Sequence, residues 1–72
     1  MYTAKLIVCG TLSEQVYGVH TIEGAASASE AYKAAEKLSS DVEYMYPVYQ
    51  EHYIEVWKDG TLVDEKEYPE CW

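Results

Sequence analysis

Carboxylates and aromatic side chains are interleaved near the end of this chain. Glu55 and Asp64 lie close in sequence to Tyr53, Trp57 and Tyr68. Aromatic residues are common anchors of binding surfaces, and excess acid steers a basic partner toward them. The pattern therefore predicts a surface that binds a basic partner. An alternative interpretation is that Tyr and Trp serve β-propensity and that the acid only keeps the chain soluble.

Glu65 and Glu67 add a second feature, the spacing of like charges along a strand. Residues two apart on a strand lie about 6.8 Å apart on one face, which suits mimicry of phosphates. Duplex DNA carries one charge per about 1.7 Å of axis, so a single row is too sparse. A DNA mimic would need Glu51, Glu55 and Asp64 as well.

Metal binding and catalysis are less well supported. Cys9, His20, His52 and Cys71 lack the close pairs from which zinc sites are built. We expect both cysteines to be reduced thiols, Cys9 to be a small core residue and His20 to be half-buried in a strand. We predict no cofactor.

The sequence contains no nucleophile elbow, phosphate loop, paired-histidine helix or dinucleotide fingerprint. Glu55 and Asp64 could imitate a general acid and base, but a sheet of 72 residues offers little concave pocket. We therefore expect a binding module without catalytic residues, and an enzyme is the weakest of the alternatives.

The strongest structural signal is a hairpin formed by residues 52–58 and 61–68, because Asp59-Gly60 suits a two-residue type I′ turn. A regular register pairs Trp57 with Leu62, Val56 with Val63, Glu55 with Asp64, and Tyr53 with Lys66. The side chains predicted to seat a helix are Ile54, Val56 and Val63. Those predicted on the other face are Tyr53, Glu55, Trp57, Leu62, Asp64 and Tyr68.

The first half of the chain predicts another hairpin and a helix. Residues 2–11 alternate, with Tyr2, Ala4, Leu6 and Val8 on one face. Residues 16–23 form its partner, with Val16, His20 and Ile22 on one face. Ser27 and Glu30 form a capping box that begins an alanine-rich helix, and the polar run at residues 39–41 ends it.

Residues 42–49 are β-prone and aromatic, but Pro47 cannot donate to a β-ladder. We predict an edge strand, or one broken at Pro47. The aromatic run at residues 44–49 could form a contact site, although such a run more often packs one side on the core.

The net charge of the chain limits the classes of partner that it can bind. The 72 residues carry a net charge of −8 and no arginine. Residues 41–72 hold nine acidic residues and two lysines, a net charge of −7, against −1 for residues 1–40. Direct binding to nucleic acid or to anionic membranes is disfavoured, since both need Lys and Arg. No leader or membrane span is evident, so we expect one cytoplasmic domain.

Three features together resemble the small acidic proteins that phages use against host defences, anti-CRISPR proteins among them. They are the capped alanine-rich helix start at residues 23–31, the hairpin at 55–63 and the acidic, tyrosine-rich second half. The resemblance implies an inhibitor in the bacterial cytoplasm that occludes a basic nucleic-acid site on a defence complex. It carries over no catalytic residues.

These observations predict an α+β fold of ββαββ type, in which one helix covers one face of an antiparallel sheet of four or five strands. The core of so short a chain is thin, because only about 60% of the unfolded surface is buried. The uncovered face then needs a partner, either a basic protein surface or a second copy in a homodimeric structural module. The predicted partner-binding residues are Tyr53, Glu55, Trp57, Asp64, Glu65, Glu67 and Tyr68.

Overall fold

The computed structural model describes residues 1–12 and 15–68 and confirms the α+β fold. The elements in chain order are β1 (Tyr2–Gly10), β2 (Val16–Ala25), α1 (Ala28–Val42), a short 3₁₀ helix (Glu43–Met45), β3 (Gln50–Lys58) and β4 (Thr61–Tyr68). The strands form one sheet in the order β2-β1-β3-β4, and each neighbouring pair is antiparallel. Helix α1 packs on one face. Within the described ranges, no helix is long and apolar enough to cross a membrane.

The core lies between α1 and the two central strands. Alternate residues of β1 and β3 point toward the helix, and the small alanines of α1 let it approach the sheet closely. The buried apolar residues are Ala4, Leu6, Val8, Ala31, Ala35, Val42, Ile54 and Val56. Ala4, Leu6 and Val8 share a face of β1 as predicted, and that face packs on the helix. The predicted helix seat at Ile54 and Val56 is also confirmed.

The β3–β4 turn has the predicted geometry, but the register beyond it was predicted wrongly. Asp59 and Gly60 have φ values of 50° and 81°, as a type I′ turn requires, and Trp57 does lie opposite Leu62. A β-bulge at Val63 then shifts every later pair by one residue. Glu55 faces Glu65 instead of Asp64, and Val63 is exposed instead of seating the helix.

A second bulge makes the predicted face of Val16 wrong. His20 and Ile22 share a face as expected, and it is the helix face, where they lie opposite Leu6 and Ala4. Val16 instead lies opposite Cys9, because the ladder skips Tyr17. Cys9 lies on the side of the sheet away from the helix, because Val8 before it faces the helix, and, contrary to expectation, it is not a core residue.

Helix α1 begins as predicted and ends later. The Ser27 hydroxyl accepts a hydrogen bond from the Glu30 amide, and the Glu30 carboxylate accepts one from the amide of Ala26, one residue before the cap. The polar run does not stop the helix, because Ser39 points inward and hydrogen-bonds to His52. A polar side chain with a buried partner is tolerated inside a helix.

Residues 42–49 do not form the predicted strand. Val42 ends α1, residues 43–45 form the 3₁₀ helix, and β3 begins only at Gln50. The prediction that this run packs on the core is also wrong for most of it. Tyr44, Met45, Val48 and Tyr49 are between 65% and 88% exposed, whereas Tyr46 packs against the core.

Candidate functional interface

The face of the sheet away from α1, here called the open face, is not covered by any described element of the chain. Its residues follow from the register, because cross-strand partners share a face. The side chains that form it are Thr3, Lys5, Ile7 and Cys9 from β1, Val16, Val19 and Thr21 from β2, Glu51, Tyr53, Glu55 and Trp57 from β3, and Leu62, Glu65 and Glu67 from β4.

Tyr53 is surrounded by carboxylates on the open face. Glu51 and Glu55 flank it along β3, Glu67 lies directly opposite it on β4, and Glu65 lies opposite Glu55. Like charges directly opposite each other in an antiparallel pair cost stability. The β3–β4 side of the open face therefore holds a concentrated negative charge at an energetic cost, and we call these four glutamates the acidic half.

The pKa of the Tyr53 hydroxyl is raised in these surroundings. It donates a hydrogen bond to Glu51 Oε2 at 2.6 Å. That hydrogen bond, together with partial burial and the charges of Glu51 and Glu67, raises the pKa of Tyr53 to about 12. Tyr53 is therefore neutral at physiological pH, and the hydrogen bond to Glu51 holds its ring in place.

Trp57 is held at the other end of the acidic half. Its indole N–H donates to Glu55 Oε1 at 3.2 Å, and the ammonium of Lys5 lies 4.5 Å from the ring centroid. Lys5 is the one lysine of the described residues that lies on the open face. The two lysines of the hairpin point to the opposite face, since Lys58 lies over Tyr2 and Lys66 pairs with Glu36 at 3.4 Å. Within the described residues, the open face therefore carries more acidic than basic side chains.

The β1–β2 side of the open face is different in character. Ile7 is half-buried next to Tyr53, and Val16 and Val19 are 55% and 53% exposed. Cys9 lies opposite Glu51, and burial together with that carboxylate raises the pKa of the thiol. The open face thus combines an apolar strip with the acidic half, a composition suited to a partner that presents both apolar and basic side chains.

Five of the seven predicted site residues come together on the open face: Tyr53, Glu55, Trp57, Glu65 and Glu67. Asp64 and Tyr68 do not, because the bulge at Val63 places both on the helix face. Tyr68 packs against the edge of the core. Asp64 lies near the hydroxyl of Tyr32, whose pKa is raised first by burial and then by this carboxylate. Within the described part of the chain, that hydroxyl is a buried polar atom with no hydrogen bond of ordinary geometry.

Sequence reasoning missed the β1 contribution to the site. Lys5 and Ile7 lie at the centre of the open face because β1 is placed between β2 and β3. The alternation of β1 places Lys5 and Ile7 on the same face, but only the strand order shows that they adjoin Trp57 and Tyr53. The zinc candidates are separated, since His20 and His52 lie on the helix face and Cys9 on the open face. Cys71 falls outside the described residues.

A polar network, buried at its Ser39–His52 end, lies at the end of the sheet near the C-terminus of α1. The Gln50 side-chain amide donates to the carbonyls of Glu43 and Pro47 at 2.8 and 2.9 Å, so its oxygen faces His52 and accepts from Nε2–H. His52 Nδ1 is then unprotonated and accepts from the Ser39 hydroxyl. Burial lowers the pKa of His52, which keeps the imidazole neutral. The network ties the segment after the helix to the start of β3. The Ser39 hydroxyl in it is buried.

Comparison with known proteins does not add to this description. No protein-family model, curated protein or solved structure matches the chain.

Proposed function

We propose that this protein is a binding module whose open face covers a basic, nucleic-acid-binding surface of another protein and so inhibits it. The observation that carries the proposal is the acidic half: four glutamates on one side of the sheet, two of them directly opposite each other. The like-charge pair costs stability in the isolated chain. Lys and Arg side chains of a basic partner would be attracted to both glutamates and so offset their repulsion.

Charge also distinguishes between the two candidate partners of the open face, a basic protein surface and a second copy of the chain. If two copies met through this face, eight glutamates would come together. Among the described residues, the lysines on the face would be the two copies of Lys5. That arrangement is repulsive in the acidic half. A partner rich in Lys and Arg has no such penalty, and the apolar strip around Ile7 supplies buried area.

The shape of the acidic half supports competition with nucleic acid. Glu65 and Glu67 lie about 7 Å apart along β4, Glu55 lies about 5 Å across from Glu65, and Glu51 lies about 14 Å from Glu55 along β3. Four carboxylates over about 14 Å give roughly one charge per 3.5 Å, which is denser than a single row and about half the charge density of duplex DNA. We further propose that the host setting is a phage defence system of bacteria, as the resemblance to anti-CRISPR proteins implies.

The test is capture of partners on the immobilised protein from lysates of bacteria that carry defence systems. Bound proteins are eluted in parallel with a duplex DNA oligonucleotide, with a neutral dextran and along a salt gradient, and identified by mass spectrometry. We expect a nucleic-acid-binding protein or complex that DNA releases and dextran does not. Recovery of the protein itself alone would instead support the homodimeric module, and a partner that DNA fails to release would exclude occlusion of a nucleic-acid site.

A further inference from the structure

A groove runs along the end of the sheet, between the C-terminal end of α1, the segment that follows it and the ends of β3 and β4. Its walls include Glu43, Tyr44, Tyr46, Gln50, Glu51 and Tyr68. The volume is about 840 Å³, within the range of about 300–1,000 Å³ typical of ligand clefts. We call this feature the end groove.

The end groove is negative. Glu43, Glu51 and Glu67 line it, and none of the lining residues among those described is a lysine. The last turn of α1 also contains no basic residue, so no positive charge within that turn offsets the partial negative charge of the helix C-terminus. A cation is the complementary ligand.

The walls of the end groove are aromatic. Tyr44 is 87% exposed at the rim, and Tyr46 and Tyr68 are half-buried within it. Tyr46 is held in place because its ring stacks on Tyr17 and its hydroxyl hydrogen-bonds to His20. Aromatic faces next to carboxylates favour a planar guanidinium, which can stack and form hydrogen bonds together, over a compact ammonium.

The end groove is also preorganised. The side chain of Gln50 joins the carbonyls of Glu43 and Pro47, so the 3₁₀ helix and the residues after it are tied to the start of β3. A site that is already formed loses less conformational entropy when it binds. Glu51 and Glu67 belong both to the groove and to the acidic half, so the two negative surfaces are continuous.

We propose that the end groove binds an arginine side chain presented by the same basic partner that covers the open face. The inference rests on the proposed function for the identity of the partner. The guanidinium would stack against Tyr44 and bind the carboxylates of Glu43 and Glu51. The aromatic run at residues 44–46 thereby gains a role as the rim of a specific pocket.

The experiment is an NMR titration of the ¹⁵N-labelled protein with the tripeptide acetyl-Gly-Arg-Gly-amide. The matched probe replaces arginine by citrulline, which is similar in shape but neutral. We expect saturable shifts at the Gln50 side-chain amide and at the amides of residues 43–46, with the citrulline peptide binding about fivefold more weakly or worse. Glu43→Gln should weaken arginine binding by a similar factor. Asp41→Asn, an equal charge change two residues away outside the groove, should not.

Equal binding of the two peptides would overturn the inference, as would shifts centred on Tyr53 and Trp57 instead of the groove. Shifts of groove residues that depend on protein concentration without peptide would place a second copy there and would also overturn it. Because the titration contains no macromolecular partner, its failure leaves the open-face proposal intact. Failure of the capture experiment likewise leaves this result interpretable.

Discussion

Glu55 and Glu65 lie directly opposite each other on neighbouring antiparallel strands, on the side of the sheet that no described element covers. The pair exists because the bulge at Val63 brings Glu65, instead of Asp64, to the level of Glu55. Two adjacent residues of β4, Asp64 and Glu65, thus carry the same charge on opposite faces. They form a matched pair for experiments.

Charge reversal at Glu65 should stabilise the isolated protein. Glu65→Lys replaces a repulsive cross-strand pair by an attractive one and should raise the free energy of unfolding by about 0.2–1 kcal/mol. Asp64→Lys should give no such gain, because it places a second ammonium two residues from Lys66 on the helix face. Urea unfolding at low and high salt measures both, and the Glu65→Lys gain should shrink as salt increases. Equal effects of the two variants would contradict a specific Glu55–Glu65 repulsion.

Gly18 should not tolerate a side chain while Tyr46 is present. A Cβ at Gly18 would lie 2.5 Å from the Tyr46 hydroxyl oxygen and 3.2 Å from Cζ, and stacking on Tyr17 limits the movement of this ring. We expect Gly18→Ala to destabilise the fold by about 1–3 kcal/mol. In a Tyr46→Leu background the same change should cost much less, so a double-mutant cycle of thermal or urea unfolding should show coupling. Additive effects would contradict this contact.

Stability should fall when His52 becomes protonated. Its pKa in the folded state lies below the usual 6.5, because burial outweighs the opposing charge of Glu43, and His20 adds to the decrease. The unfolded chain therefore binds the proton more readily, and the folded state loses stability as the pH falls below about 6.5. Above that pH the contribution is fully present.

The measurement is urea unfolding between pH 7.5 and 5.5, a window above the range in which most carboxylates titrate. We expect a decrease toward pH 5.5 that is smaller in His52→Gln, whose side chain does not titrate. NMR titration of the imidazole gives an independent readout. A His52 pKa at or above 6.5 would show that the buried network does not disfavour the charged form.

The hairpin turn should be sensitive to backbone conformation alone. Gly60 has a φ of 81°, and an added Cβ would meet no atom within 4 Å. Gly60→Ala should cost about 1–2 kcal/mol from the left-handed backbone, and Gly60→Asn should cost less, since Asn adopts this region more readily. Thermal unfolding of the two variants measures the difference. Equal costs would point to a cause other than the backbone.

The fold class was predictable because its signals are local. The Asp59-Gly60 turn, the Ser27 cap and the alternation of β1 each depend on a few neighbouring residues, and each is present in the structure. The long aromatic run at residues 42–49 misled the prediction because β-propensity there is overridden by tertiary contacts. Gln50 and Ser39 stabilise a helical continuation that no local pattern indicates.

The site was predictable only in part, and the reason is the period of two in a strand. A single bulged residue, Val63, moves all later side chains of β4 to the opposite face, so Asp64 and Tyr68 left the open face while Glu65 and Glu67, which a regular register places on the helix face, came onto it. Bulges have no reliable sequence signature in an otherwise regular hairpin. Strand order is likewise a global property, which is why the position of Lys5 and Ile7 next to the acidic half was not foreseen.

The most direct test of the open-face proposal compares Glu65→Lys with Asp64→Lys in binding to the partner recovered by DNA elution. Both variants change the charge by the same amount at adjacent positions, and circular dichroism verifies that each is folded. We expect Glu65→Lys to weaken binding by about tenfold or more, as for loss of an interfacial charge, with little change for Asp64→Lys. Equal affinities of the two variants would contradict the assignment of the open face as the binding surface.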